Sequence, residues 1–179
     1  MARINPATTD LVDATTQATL DAVKQKLGML PNMFATMAHA PAALNGYLAL
    51  SEALAKGKLT AAQRELIALA TAQVNSCHYC LSAHTAIGKG AGLSESAMLD
   101  ARAARSTNPF NQAITTLTDK LVRQLGVLSN DDLDAAKAAG IDQELVMEIV
   151  ANVALNILTN YTNHVAETDI DFPVVSLEL

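Results

Sequence analysis

Residues 65–84 run ELIALATAQVNSCHYCLSAH. The first half of this segment sets Leu66, Ile67, Leu69, Ala70 and Val74 in alanine-rich sequence free of glycine and proline, which predicts a helix with Glu65 close to its apolar side. Asn75 and Ser76 end that helix and cap the next one. The spacing then puts Cys77 in the first turn of a second helix extending to about Lys89, after which Gly88, Gly90 and Gly92 loosen the chain. Both cysteines of the protein, Cys77 and Cys80, therefore stand at a helix start, with His84 one turn further on.

The helical pattern continues outward in both directions. Upstream, Asp10 is placed as the N-cap of a helix running to about Lys26 and stopped by Gly28. A short helix opens at Pro31 and runs through Met37 and Ala38, and a third runs from Pro41 to Gly57 with Leu44, Tyr47, Leu48, Leu50 and Leu54 on it. Thr60 precedes the run that holds Glu65. Downstream, Ser94 opens a short helix, Pro109 begins a long one reaching Leu125, and a brief one follows Asn130. Asp142 caps the last, QELVMEIVANVALNILTNYTNHVA, which ends before the polar stretch leading to Pro173.

Composition agrees with an all-α chain. Half of the residues are apolar, yet only 3% are aromatic and none is Trp, which suits closely packed helices and not a β-sandwich. The 179 residues fit one helical domain spanning 1–179, with a weak internal echo in which Cys80, His84 and Ala86 correspond to Asn160, His164 and Ala166. Twelve basic against eighteen acidic side chains, a net charge of -6 and no basic cluster exclude a nucleic-acid partner. The opening MARINPATTDLVDATTQ lacks the build of a secretory signal, and no run is read as long enough for a membrane span. The expectation is a cytoplasmic protein without a membrane partner, in which two thiols three positions apart are catalytic or metal-binding before they are a structural staple.

On a helix Cys77, Cys80 and His84 lie at i, i+3 and i+7, and so project to one side. The imidazole, with the unpaired N–H groups of the helix start, favours thiolate over thiol. Dithiol redox chemistry needs that set, because one sulfur attacks, its neighbour resolves, and a disulfide closes. The Asn75–Ser76 turn can fold Glu65 back against the pair, where a carboxylate would hold the imidazole or a water and pass protons. A solvated helix face beside Arg64 is the competing reading for Glu65. Tyr79 is a channel wall, a donor to substrate oxygen, or a packing residue. Zinc is a further alternative, with His78, His39 or His164 as a fourth ligand, although structural zinc sites usually bring two separated ligand pairs. Inert buried cysteines are another. No cofactor and no resident metal are expected.

Glu65, Cys77, Cys80 and His84, read as E-x11-C-x2-C-x3-H, resemble the thiol motif of the alkylhydroperoxidase D-like branch of the carboxymuconolactone decarboxylase family. The flanking LGMLPNMFATMAHAPAALNGYLAL and ALNILTNYTNHVAETDIDFP are similar to it too, so that the resemblance covers about residues 27–173. It implies an all-helical bundle assembled into trimers or hexamers, and a peroxidase acting on organic or hydrogen peroxides. By the same resemblance Cys80 would attack the peroxide, Cys77 would resolve, and His84 with Glu65 would relay protons. The reductant would be an external lipoyl or thioredoxin-like dithiol protein. One departure stands out: alkylhydroperoxidase D proper carries His immediately before the second Cys, where this chain has Tyr79, with His78 one position earlier. That points to a sister group with a modified relay. The alternatives are a lactone-acid decarboxylase using acid–base chemistry, as in the family's name-giving enzymes, and a non-enzymatic, redox-sensitive helical oligomer.

Overall fold

A computed structural model describes all 179 residues and contains nine helices and no strand. They are α1 (Ala14–Leu27), α2 (Asn32–Met37), α3 (Pro41–Leu54), α4 (Ala61–Val74), α5 (His78–Gly90), α6 (Glu95–Arg102), α7 (Pro109–Arg123), α8 (Asn130–Ala138) and α9 (Gln143–Ala166). Several helix starts carry side-chain caps, Ser94 and Asp142 being the ones expected. Thr60 and Gln63 form a reciprocal capping box at α4, Ser94 accepts from the Ala97 amide at α6, and Asp142 accepts from the Leu145 amide at α9.

The first helix starts later than expected. Asp13, not Asp10, is the N-cap, accepting from the Thr16 amide at 2.7 Å. Starting there turns Thr16, Leu20 and Val23 inward and leaves Leu11 exposed in the preceding turn. Gly28 ends α1 with φ +76°, a left-handed conformation that glycine adopts without strain.

α4 is the hub and packs against α5, α6, α7 and α9. Its residues 66–72 are buried without interruption, as expected of a helix enclosed on all sides. Leu66, Leu69 and Ala72 face a core shared with α1, α2 and α5, whereas Ile67 faces a second core shared with α7, α8 and α9. Each large aliphatic side chain so enclosed contributes roughly 1.5–3 kcal/mol, which holds the helix carrying Glu65 against both halves of the molecule.

Two features depart from the sequence expectation. α9, with 24 residues, is long and apolar enough to cross a bilayer by length and composition alone, although no such run was anticipated. Within the fold it is a packing helix, burying Asn152, Asn156, Asn160 and Asn163 alongside Leu145, Ile149 and Val153. The second feature is the segment after α9, read as a polar trailing end. It turns back over α5 instead. Asp171 accepts from the Asn32 amide at 2.7 Å, Val175 donates its amide to Ser82 Oγ at 3.2 Å, and Arg102 donates to the Ser176 and Glu178 carbonyls. Ile170, Phe172 and Leu177 pack on the first core.

Candidate functional site

The turn between α4 and α5 is tight. Asn75 is the C-cap of α4, Ser76 adopts a left-handed φ of 54°, and Cys77 returns its amide to the Ala72 carbonyl at 2.9 Å. Cys77 therefore lies one position outside the first turn where it was expected. It is the N-cap itself, and its Sγ accepts from the Cys80 amide at 3.3 Å. A cysteine sulfur fills the role usually taken by a Ser or Asp oxygen. The two sulfurs are joined in a disulfide.

The sulfurs differ in surroundings. Both residues are buried, but Cys80 forms part of the wall of a cavity of about 390 Å³, whereas Cys77 is fully enclosed and contributes nothing to that wall. The cavity is mostly apolar, with Phe34, Tyr47, Leu48 and Leu54 among its lining residues, and Glu65, Cys80 and His84 share its surface. α4 and α5 thus bring the separated acid and imidazole together. His84 Nδ1 lies 2.8 Å from Glu65 Oε2, with both side chains more than four-fifths buried. A carboxylate can only accept, so Nδ1 carries a proton towards it, and a neutral ring in this place has its lone pair on Nε2. His84 sits one turn after Cys80 on the same helix face.

Two tyrosines frame the site. Burial, with the Glu65 carboxylate adding to it, pushes the Tyr47 hydroxyl up to about 12. Burial foremost also pushes Tyr79 up, helped by Asp171 and opposed by the Met33 amide. Tyr79 is in the cavity wall, but its hydroxyl is engaged. It donates to Asp171 Oδ1 at 2.8 Å and accepts from the Met33 amide at 3.2 Å, while its ring meets Phe172 edge-on at 5.7 Å.

The other histidines lie off the cavity. His39 Nε2 contacts the Asn5 carbonyl at 2.9 Å, His164 is on the outer side of α9, and His78 Nε2 is buried without a partner. No three His, Cys, Asp or Glu side chains gather into a metal-binding group, so the zinc alternative lacks its ligand set.

Several residues at the site were not anticipated. Asn163 donates Nδ2 to Cys80 Sγ at 3.3 Å, and Asn152, Asn156 and Thr159 extend the same face of α9 along the cavity. The legible signal was a polar residue every three or four positions within an otherwise apolar helix. Asp171 and Phe172 close the site from the returning C-terminal segment.

The sequence model of the Carboxymuconolactone decarboxylase family matches residues 41–118, which span α3 to α7 and contain Glu65, Cys77, Cys80 and His84. No curated protein gives a significant sequence match. Solved structures match over nearly the whole chain. The alkylhydroperoxidase AhpD core of an uncharacterized peroxidase-related protein from Ralstonia eutropha JMP134 superposes with a TM-score of 0.85 at 24% identity, covering 95% of this chain and 92% of that one. An uncharacterized peroxidase-related protein from Silicibacter sp. TM1040 gives 0.79 at 21% identity, covering 92% and 91%. The debrominase Bmp8, as a cysteine variant in complex with 2,3,4-tribromopyrrole, gives 0.78 at 19%, covering 94% and 91%. With the paired cysteines at the start of α5 and this helical arrangement around them, the chain shares its fold with these structures, and its segment 41–118 is similar to the carboxymuconolactone decarboxylase family.

Proposed function

We propose that the protein is a thiol-dependent peroxidase that cycles Cys77 and Cys80 between dithiol and disulfide. The observation that carries this reading is the asymmetry of the sulfurs: Cys80 borders the cavity beside the Glu65–His84 pair, and Cys77 is sealed behind it. In the reduced protein His84 Nε2 takes the Cys80 proton, and the thiolate attacks one oxygen of ROOH. The O–O bond breaks, Cys80 becomes a sulfenic acid, and the alkoxide leaves as ROH with the proton returned by His84. Cys77 then attacks the Cys80 sulfur, water departs, and the disulfide closes. An external dithiol, such as a lipoyl or thioredoxin-like protein, supplies the two electrons that reopen it.

Acid–base decarboxylation of a lactone acid has no use for a sulfur in the cavity wall, and a non-enzymatic oligomer has no use for the cavity. The decisive experiment is mass spectrometry after one equivalent of organic hydroperoxide and again after dithiol. Cys77→Ser protein should gain one oxygen on Cys80, and Cys80→Ser protein should gain none and consume no hydroperoxide. Undiminished consumption by Cys80→Ser would remove the proposal.

The same reading includes a cytoplasmic homo-oligomer, a trimer or hexamer. Its support is an exposed apolar stripe along α9, formed by Met147, Val150, Leu158, Tyr161 and Val165 at helical spacing. Leu158→Asp should shift the mass measured by sedimentation from three or six chains toward one. A wild-type monomer would refute this part.

A further inference from the structure

The cavity is larger than hydrogen peroxide requires, and one of its walls carries a row of polar side chains. Asn152, Asn156, Thr159 and Asn163 follow one another at four-, three- and four-residue steps on α9, all four line the cavity, and all are more than nine-tenths buried. Each commits a donor to the protein, one of the two amide N–H bonds in the case of each asparagine. Asn152 Nδ2 donates to the Glu148 carbonyl, Asn156 Nδ2 to the Asn152 carbonyl, and Thr159 Oγ1 to the Asn156 carbonyl, at 2.8, 2.8 and 3.0 Å. Asn163 Nδ2 is held by the Cys80 sulfur. Because a carbonyl only accepts, these bonds fix which end of each amide points back along the helix.

The acceptors are left over. No protein donor reaches Oδ1 of Asn152 or Asn156, and neither oxygen is sealed from the cavity as Asn163 Oδ1 is. The two acceptors stand one turn apart, about 6 Å along the axis at a rise of 1.5 Å per residue. Asn156 is in turn about two turns from Asn163, which touches the reacting sulfur. Buried acceptors without partners select for donors, because a ligand without them leaves the acceptors desolvated and unpaired. The remaining lining is mostly apolar, with Lys26, Ser51 and Tyr47 as further polar groups, Glu65 paired with His84, and Arg64 donating to the Leu59 carbonyl.

We infer that the α9 asparagine face is the recognition wall of this cavity. It takes a neutral, mostly apolar organic molecule carrying O–H or N–H donors about one helical turn apart, laid along α9 with its reactive end at Cys80. This assignment rests on the thiol site proposed above and names the class of molecule presented to it.

The test is calorimetric titration of the oxidised protein, without peroxide or reductant, using 2,7-dihydroxynaphthalene, 2-naphthol and 2,7-dimethoxynaphthalene. The diol should bind at least about fivefold tighter than the dimethyl ether, with the mono-ol between them. Asn156→Leu and Asn152→Leu should each bring the diol and the ether closer together, to within about twofold when combined. Equal or tighter ether binding, no binding of any probe at millimolar concentration, or a preference unchanged in both variants would overturn the assignment. Should the variants not fold, the side-chain amide resonances of Asn152 and Asn156 in the wild type decide the matter. They must shift with the diol and stay in place with the ether. Hydroperoxide consumption is measured separately, so diol binding without turnover counts against the peroxidase reading alone, and turnover without donor preference counts against this one alone.

Discussion

Replacing Tyr79 with Phe removes one oxygen and keeps the ring, so the edge-on contact with Phe172 survives while two hydrogen bonds vanish. The Met33 amide, buried at the start of α2, loses its acceptor. An orphaned buried donor costs about 1–3 kcal/mol. Asp171 loses a donor but keeps the Asn32 amide and is partly solvated, which discounts its loss to about 1 kcal/mol. The sum is about 3 kcal/mol, or a fall in Tm of about 6–12 °C for a chain of this length. Urea unfolding at constant m-value measures the first figure and calorimetry the second. Hydroperoxide consumption at 25 °C by the folded fraction should change less than about threefold, since the hydroxyl proton is directed at Asp171 and away from substrate. A destabilisation under about 1 kcal/mol would show that the hydroxyl does not pin α2 and the C-terminal segment to α5. A hundredfold loss of consumption in a well-folded variant would show instead that it serves the chemistry.

The Glu65–His84 pair and the surface give two further expectations. Glu65→Gln keeps an acceptor near His84 Nδ1 but removes its charge, and kcat/KM for an organic hydroperoxide should fall about 100-fold in stopped-flow assays; an unchanged value would sink the relay. Asp132 is held down to about 2 by Lys120, with Ser129 assisting, below its ordinary 3.8. A carboxyl lowered on folding stabilises the fold above its unfolded value, and that contribution drains away as pH falls through the folded one. Asp132→Asn should therefore flatten the loss of stability between about pH 4 and pH 2, and an identical acid-unfolding profile would refute the assignment.

Much of this architecture could be read from the chain because its helix signals are local. Ser94 and Asp142 cap the helices they were expected to open, and Pro41 and Pro109 sit at first helical positions. Asp10 misled because Asp13, three residues on, offers the same chemistry and brings Leu20 and Val23 into the core. The meeting of Glu65 and His84 was legible once the Asn75–Ser76 turn was recognised, since it fixes how α4 and α5 fold back on each other. Long-range partners were not. Asn163 reaches Cys80 across 83 positions and Asp171 reaches Tyr79 across 92, and no local pattern encodes such pairings. The C-terminal segment looked polar, while Ile170, Phe172 and Leu177 at irregular spacing supply its grip.

In the proposed cycle the sulfur that begins α5 changes its bonding at each turnover. In the disulfide form Cys77 Sγ accepts from the Cys80 amide at 3.3 Å, and reduction frees that sulfur from Cys80 and so alters the bond. The proposed electron transfer would then be felt in the first helical turn as a change in fraying. Amide hydrogen exchange at Cys80 would become an internal gauge of oxidation state that needs no added label.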